Sequence, residues 1–292
     1  MAVILSERAG TGRQELIRPQ PAAGGRSRFT AGADRAARSI GQIALFGVFG
    51  VCGALMSALI VPAYSAFVRD RVRRVHGVRN VVHRILHTCV ASMRALRLID
   101  LEIVGLARVP APGSLIVANH PSLIDALILL GHVKGAIVVA KRSLQINPFT
   151  SGAIRGADFV VNADALSLID ECRARIAAGE SLVLFPECTR TGDDGVIRLR
   201  RGAAHIAVGA GCPVIPVTIE LSEPLLNKKS RWWLAPKVRP KVRVMGHAPI
   251  DPAQFLQGGN SVSLAARRLT EHLREFYLSE LNVREPTRCE SA

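Results

Sequence analysis

Hydrophobic positions fall into three regimes along the chain. Between Arg38 and Arg69 no charged residue occurs, and the interior reads IALFGVFGVCGALMSALIV. About 20 apolar residues, rising 1.5 Å each, are enough to span a hydrocarbon core of roughly 30 Å. The uncharged length and the glycines at 47, 50 and 53 point to a membrane-embedded helix over 39–68, fully spanning rather than re-entrant, and argue against a buried core helix. A cleaved signal peptide fits poorly, because nearly forty residues precede the run and the run is too long for an h-region. Over 69–99 the residues Val72, Val75, Val78, Val82, Ile85, Cys89, Met93 and Leu96 recur at helical spacing, with Arg69, Arg73, Arg84, Arg94 and Arg97 among them. This predicts an amphipathic helix with basic flanks lying on an anionic bilayer. A helix that packs on the domain is the plain alternative.

Past Asp100 the period shortens. LEIVG, GSLIVAN, AIVVAKR, ADFVVNA, ESLVLFP, CPVIPVTIE and KVRVMG read as strands, with helices expected at 122–133, 142–153, 164–179, 200–210 and 262–281. The alternation predicts an α/β domain over 100–285, a mixed, largely parallel sheet flanked by helices with its active site at the carboxyl ends of the strands. Residues 1–38, rich in Arg, Ala, Gly and Pro without a sustained period, read as a disordered basic tail.

Composition narrows the function classes. With 49% hydrophobic residues in 292, global disorder is excluded. The 38 Lys+Arg against 23 Asp+Glu give a formal charge of +15 and call for a polyanionic partner. Aromatics are only 4%, thin for base stacking, and no nucleic-acid module is visible, so membrane lipids are the expected partner rather than nucleic acid. The six cysteines are scattered without CxxC or metal-ligand spacing, so neither a disulfide framework nor a metal site is expected. Six arginines follow the apolar run (Arg69, Arg71, Arg73, Arg74, Arg79, Arg84) and four precede it (Arg26, Arg28, Arg35, Arg38). The positive-inside rule then places the carboxyl-terminal bulk at the cytoplasmic face of the cell membrane. Asn227 to Ile250 holds Lys228, Lys229, Arg231, Lys237, Arg239, Lys241 and Arg243 without an acidic residue, around Trp232-Trp233. That run reads as a solvated face, as a membrane-interface anchor, or as a contact for CoA phosphates or an acidic carrier protein.

Two segments place polar chemistry directly after a strand. In the first, His120 stands at the strand end and Asp125 in the first or second turn of the following helix, with Pro121 suited to that helix's start. Five residues apart on one helix, two side chains diverge by about 140°. Across a strand–helix junction they can converge, so that the carboxylate holds the imidazole tautomer while the other nitrogen takes a proton from a hydroxyl. Taken alone, such a pair is more often structural. In the second, the strand through Leu184 runs into a turn carrying Glu187, Thr189 and Arg190. Arg190 suits a phosphate or carboxylate and Glu187 a substrate hydroxyl, or the two form an internal ion pair.

These motifs resemble those of the glycerolipid acyltransferases, the group that includes 1-acylglycerol-3-phosphate acyltransferase. His-x4-Asp is matched by His120 and Asp125, and Gly-x-x-Phe-hydrophobic-x-Arg aligns with Gly156, Phe159, Val160 and Asn162. Phe-Pro-Glu-Gly-Thr-Arg aligns with Phe185 through Arg190, and a proline-bearing strand with Val214-Ile215-Pro216-Val217. Lys141, Leu144, Pro148, Gly152 and Arg201-Gly202 are further family-like positions, so the resemblance covers residues 100–250. It implies a membrane-bound O-acyltransferase that moves an acyl group from acyl-CoA or acyl-carrier protein to a lysolipid hydroxyl, foremost 1-acyl-glycerol-3-phosphate. It further implies His120 as general base, Asp125 as its orienting partner, and Glu187, Thr189, Arg190, Gly156, Phe159, Asn162 and Arg201 around the acceptor, with no metal or bound cofactor. Two positions depart from the pattern. Asn162 replaces an arginine, which removes a charge and a fork, and Cys188 replaces a glycine, where a Cβ restricts positive φ. The competing expectations are a phosphate-free acceptor such as an aminolipid, and a catalytically silent lipid-binding protein.

Overall fold

The computed structural model describes residues 28–106, 112–162, 164–191, 196–227 and 229–281. Its strands are β1 (Asp100–Val104), β2 (Leu115–Ala118), β3 (Ile137–Lys141), β4 (Val160–Asn162), β5 (Leu182–Leu184), β6 (Val214–Leu221) and β7 (Lys241–Gly246). They form one seven-stranded sheet in the order β1-β7-β6-β2-β5-β3-β4. Only the β6–β7 pair is antiparallel, as expected of a mixed, largely parallel sheet. Every strand read from the sequence is present, because runs such as LIVA are buried on both faces and leave little choice but a central parallel strand.

The helices are α1 (Arg28–Leu55), α2 (Val61–Phe67), α3 (Arg71–Ala95), α4 (Asp125–His132), α5 (Arg142–Ile146), α6 (Ser151–Gly156), α7 (Ala165–Ala177), α8 (Gly202–Ala210) and α9 (Val262–Glu280). Alternation along β2 divides the core. Ile116 and Ala118 join Val82, Leu86, Ile128 and Leu129 under α3 and α4. Leu115 and Val117 join Ile206, Leu269 and Leu273 under α8 and α9. Each such side chain contributes roughly 1.5–3 kcal/mol when fully buried. Tyr277 of α9 is wholly buried and donates its hydroxyl to the Val117 carbonyl at 2.7 Å, fixing the helix behind the central strand.

The helix expected over 142–153 breaks into α5 and α6, because Pro148 excludes helical backbone at Asn147, whose ψ is 125°. The helix expected from 122 starts at Asp125, and Pro121 lies in the preceding turn rather than in its first turn. The helix over 69–99 is also corrected. Val78, Val82, Leu86, Val90 and Met93 are buried, whereas Val72 is 64% exposed. α3 therefore packs its apolar face on the domain, chiefly against α4, with α1 and α6 alongside.

Helix α1 starts at Arg28, inside the stretch expected to be a disordered tail; residues 1–27 lie outside the described residues. Tertiary bonds hold that start. Arg38 is 4% exposed, pairs with Asp34 at 2.9 Å, and donates to the carbonyls of Pro236 at 3.0 Å and Lys237 at 3.1 Å. Arg35 donates to the Ala235 carbonyl at 2.9 Å. Farther along, the helix continues through a π-helical turn (Met56–Ile60) into α2. There Ser57 donates to the Pro148 carbonyl at 3.0 Å and accepts from the Gly152 N–H at 3.0 Å. Arg35 and Ser57 are separated by about 33 Å of helix. α1 and its continuation are thus tied to the domain near both ends. Gly53 permits the close approach, since a Cβ there would stand 1.8 Å from the Phe149 carbonyl oxygen.

Gly53→Leu is expected to lower stability by about 1–3 kcal/mol through overpacking. Gly47→Leu, at a position with nothing within 4 Å, is expected to leave it unchanged. Denaturant unfolding of the two variants in detergent checks the difference, and equal midpoints would remove the α1–domain contact from the account.

Candidate active site

Because β2, β3, β4 and β5 run parallel, their carboxyl ends share one edge of the sheet. β2 ends where the Asn119 side chain takes over the pairing. Its amide donates to the Ile219 carbonyl at 2.8 Å and accepts the Ile219 N–H at 2.7 Å, bridging to β6. The chain then turns through Pro121 and Ser122 into α4. Asp125, the first residue of that helix, folds its carboxyl back over the turn.

His120 Nδ1 lies 2.8 Å from Asp125 Oδ2, and the same oxygen accepts the Ser122 N–H at 2.7 Å. Asp125 is fully buried and the His120 side chain is 19% exposed. Burial pushes the Asp125 carboxyl up from the usual carboxylate range, while the bonds from His120 and Ser122 and the charge of Arg190 oppose that shift. A carboxyl in this position accepts, so it fixes the proton on Nδ1 and leaves Nε2 as the basic nitrogen. Asp125 Oδ1 is buried without a hydrogen-bond partner among the described residues. Phe185 stacks on the imidazole with ring centroids 4.2 Å apart and planes inclined by 25°, which restricts rotation of the ring.

The Phe185–Arg190 turn binds this junction through backbone groups. Glu187 Oε1 accepts the His120 N–H at 2.8 Å and the Thr191 hydroxyl at 3.0 Å, and the Thr191 N–H donates to the His120 carbonyl at 2.7 Å. Burial raises the Glu187 carboxyl, and these two hydrogen bonds oppose the rise. Glu187 Oε1 therefore clamps the histidine's backbone. Arg190 does not pair with it. Its Nη1 donates to the carbonyls of Leu226 at 2.7 Å and Asn227 at 3.0 Å, tying the turn to the β6–β7 loop.

The remaining expected residues divide. Thr189 is exposed in the same turn. Arg201 caps the start of α8, and the bond from the Arg200 N–H to the Pro186 carbonyl at 2.9 Å holds it next to that turn. Gly156 belongs to packing rather than to the site, since a Cβ there would meet Val61 Cγ2 at 2.5 Å. Phe159 packs against both core clusters. Asn162 is exposed at the end of β4, three strands from β2, or roughly 14 Å at ordinary strand spacing. Ser122, Asn119, Phe185 and Thr191 were missed as positioning residues. Thr191, four residues after Glu187, was the only one with a signal beyond its presence in a motif.

The Acyltransferase family model matches residues 100–220. The 1-acyl-sn-glycerol-3-phosphate acyltransferase alpha of Mus musculus is 29% identical over 187 residues, 59% of this chain and 66% of that protein. The 1-acyl-sn-glycerol-3-phosphate acyltransferase of Saccharomyces cerevisiae is 25% identical over 194 residues, covering 63% of this chain and 58% of that one. The chain thus spans about two thirds or less of the length of these relatives. The crystal structure of the 1-acyl-sn-glycerophosphate (LPA) acyltransferase PlsC from Thermotoga maritima matches with a TM-score of 0.64 at 26% identity, over 86% of this chain and 100% of that chain. Four motifs in order, the sheet edge that gathers the first and third of them, and these matches agree: residues 100–220 form an acyltransferase domain, and the chain is similar to the glycerolipid acyltransferases.

Proposed function

We propose that the chain is a membrane-bound O-acyltransferase that moves an acyl group from a thioester donor, acyl-CoA or acyl-carrier protein, to a lysolipid hydroxyl, with 1-acyl-glycerol-3-phosphate as acceptor. The observation that carries this is the His120 ring, oriented by a buried carboxylate at the carboxyl edge of the sheet with Nε2 left for a substrate. The acceptor hydroxyl attacks the thioester carbonyl as Nε2 takes its proton. The imidazolium is stabilised by Asp125 through Nδ1–H. Collapse of the tetrahedral intermediate breaks the C–S bond, and the leaving thiolate takes the proton from Nε2. A general base of this kind contributes about 10²–10⁴-fold, and positioning of the two substrates supplies a further share.

The acceptor's phosphate needs a cation that Asn162 does not supply. Lys141 is the register partner of Asn162 on the adjacent strand, and both Lys141 and Arg142 are exposed at the end of β3. Neighbouring strands lie about 4.8 Å apart, so the ammonium can serve the same end of the site. This favours a phosphate-bearing acceptor over an aminolipid. Cys188 keeps the glycine-like backbone of its turn at φ +57°, so the turn retains its shape despite the substitution.

Membrane binding rests on α1 and its continuation. The helix over Ala31–Phe67 contains an 18-residue window of mean hydropathy 2.3, of which 6% is buried. Since it is tied to the domain near both ends, the helix would rest against one leaflet with the catalytic edge held at the lipid surface, on the cytoplasmic face by the arginine count.

His120→Ala is expected to lower kcat by about 10²–10⁴-fold with the fold retained, read by acyl transfer from labelled donors in membranes; unchanged turnover would sink the mechanism. Lys141→Gln is expected to raise KM for lysophosphatidate at least about tenfold, as loss of a charged hydrogen bond does, with little effect on a phosphate-free lysolipid. Equal effects on both acceptors would return the aminolipid reading. Cys188→Gly relieves roughly 1–2 kcal/mol of left-handed strain against about 0.4–1 kcal/mol of added chain entropy. Chemical denaturation should therefore show a small net stabilisation.

A further inference from the structure

The segment between β6 and β7, residues 222–240, is long for a connection, its described residues form no strand or helix, and loops of that length usually carry a function. It exposes Trp232 (48%), Trp233 (47%), Leu234 (40%) and Val238 (47%), side chains that a water-facing loop normally withdraws. The loop is nonetheless held firmly. Arg35 donates to the Ala235 carbonyl, Arg38 to those of Pro236 and Lys237, Gln42 to that of Trp232, and the Ala235 N–H donates to Ser39 Oγ at 3.0 Å. Trp232 also packs edge-on against Phe46 of α1 with centroids 5.7 Å apart, and against Trp233 at 5.7 Å and 87°. A buried arginine such as Arg38 is tolerated only when fully bonded, so the clamp fixes one loop geometry.

We propose that this loop is a second bilayer anchor, in which the two indoles and Leu234 enter the headgroup–acyl boundary of an anionic leaflet beside α1. The inference rests on the membrane-bound reading above. Trp232 packs on Phe46 of α1, and the same helix exposes Ile40, Ile43, Val48 and Val51 elsewhere around its circumference. Indoles are suited to that boundary, having an apolar body and one polar N–H. Charge selects the partner. Arg231 and Lys237 are exposed on either side of the indoles, Asp34 and Asp100 are paired with Arg38 and Arg239, and Glu223, the one acidic residue of the loop, lies near its amino-terminal end. Arg35 and Arg231 also line one cleft behind the loop, with Leu225, Leu226 and Leu234. A single apolar helix leaves rotation about its own axis free. A second contact clamped to its amino-terminal end fixes that rotation, and with it the tilt of the catalytic edge.

Trp232 and Trp233 are the chain's two tryptophans, so intrinsic fluorescence reports on this loop alone. The full chain is reconstituted in phosphatidylcholine vesicles with and without phosphatidylglycerol, some carrying lipids brominated on the acyl chain. Blue-shifted emission quenched by the brominated lipid is the expected result. Arg38→Ala, or Arg35→Ala if the first variant loses helix by circular dichroism, should weaken quenching severalfold while the protein still floats with the vesicles. Arg231→Gln with Lys237→Gln should weaken the phosphatidylglycerol dependence of quenching, roughly fivefold per charge. A chain that floats with unquenched tryptophan would overturn the anchor and leave the membrane reading intact. A chain that fails to float would overturn both. A blue shift that follows protein concentration without lipid would assign the surface to a second copy of the chain and overturn the proposal.

Discussion

Asp125 buries its carboxyl at the first residue of α4, and one oxygen receives both the Ser122 N–H and the His120 ring. That shared oxygen governs the site. Taking a carboxylate out of water costs several kcal/mol, so the turn is held in the one shape that supplies its donors. The helix must begin at Asp125, the strand must end before Asn119, and the imidazole must point along a single direction. Phe185 and Asn119 then secure the ring and the strand end from either side.

Around this carboxylate the motif residues perform two kinds of work. Glu187 and Thr191 hold the backbone of His120, so the third motif acts on the first by keeping its histidine in place. Arg190 reaches the other way and binds the carbonyls at the start of the β6–β7 loop. The His120–Asp125 junction, the turn after β5 and the loop that carries the tryptophans are consequently one connected hydrogen-bonded unit. A displacement of the loop would be felt at Arg190, two bonds from the histidine's own clamp. Asn162 stands apart from that unit, three strands away, which is why an arginine can be lost there without disturbing the pair.

The arrangement of α1 gives the same unit a fixed relation to the long apolar helix. Its arginines are drawn into carbonyls at one end, and Gly53 and Ser57 meet the turn after α5 at the other. Packing along the helix has used Gly53 for close contact with the domain. The exposed apolar side remains free to face hydrocarbon. α3, which has the stronger charge pattern, has its apolar side taken by the core.

Periodicity alone determined the seven strands: central runs such as LIVA are buried on both faces, and outer strands such as β1 alternate between buried and exposed positions. It determined the long apolar helix for the same hydrophobic reason. The motifs carried the acyltransferase resemblance and the His120–Asp125 pair, because few residue types can orient an imidazole at that spacing. Other features were decided only by the tertiary structure. Helix or tail at Arg28–Arg38 depended on carbonyls two hundred residues away, and the surface covering α3 depended on α4. The clamp made by Glu187 depended on a backbone N–H from another motif. Each of these is a contact between segments distant in the chain, and a local pattern carries no information about the partner that will satisfy a buried polar group.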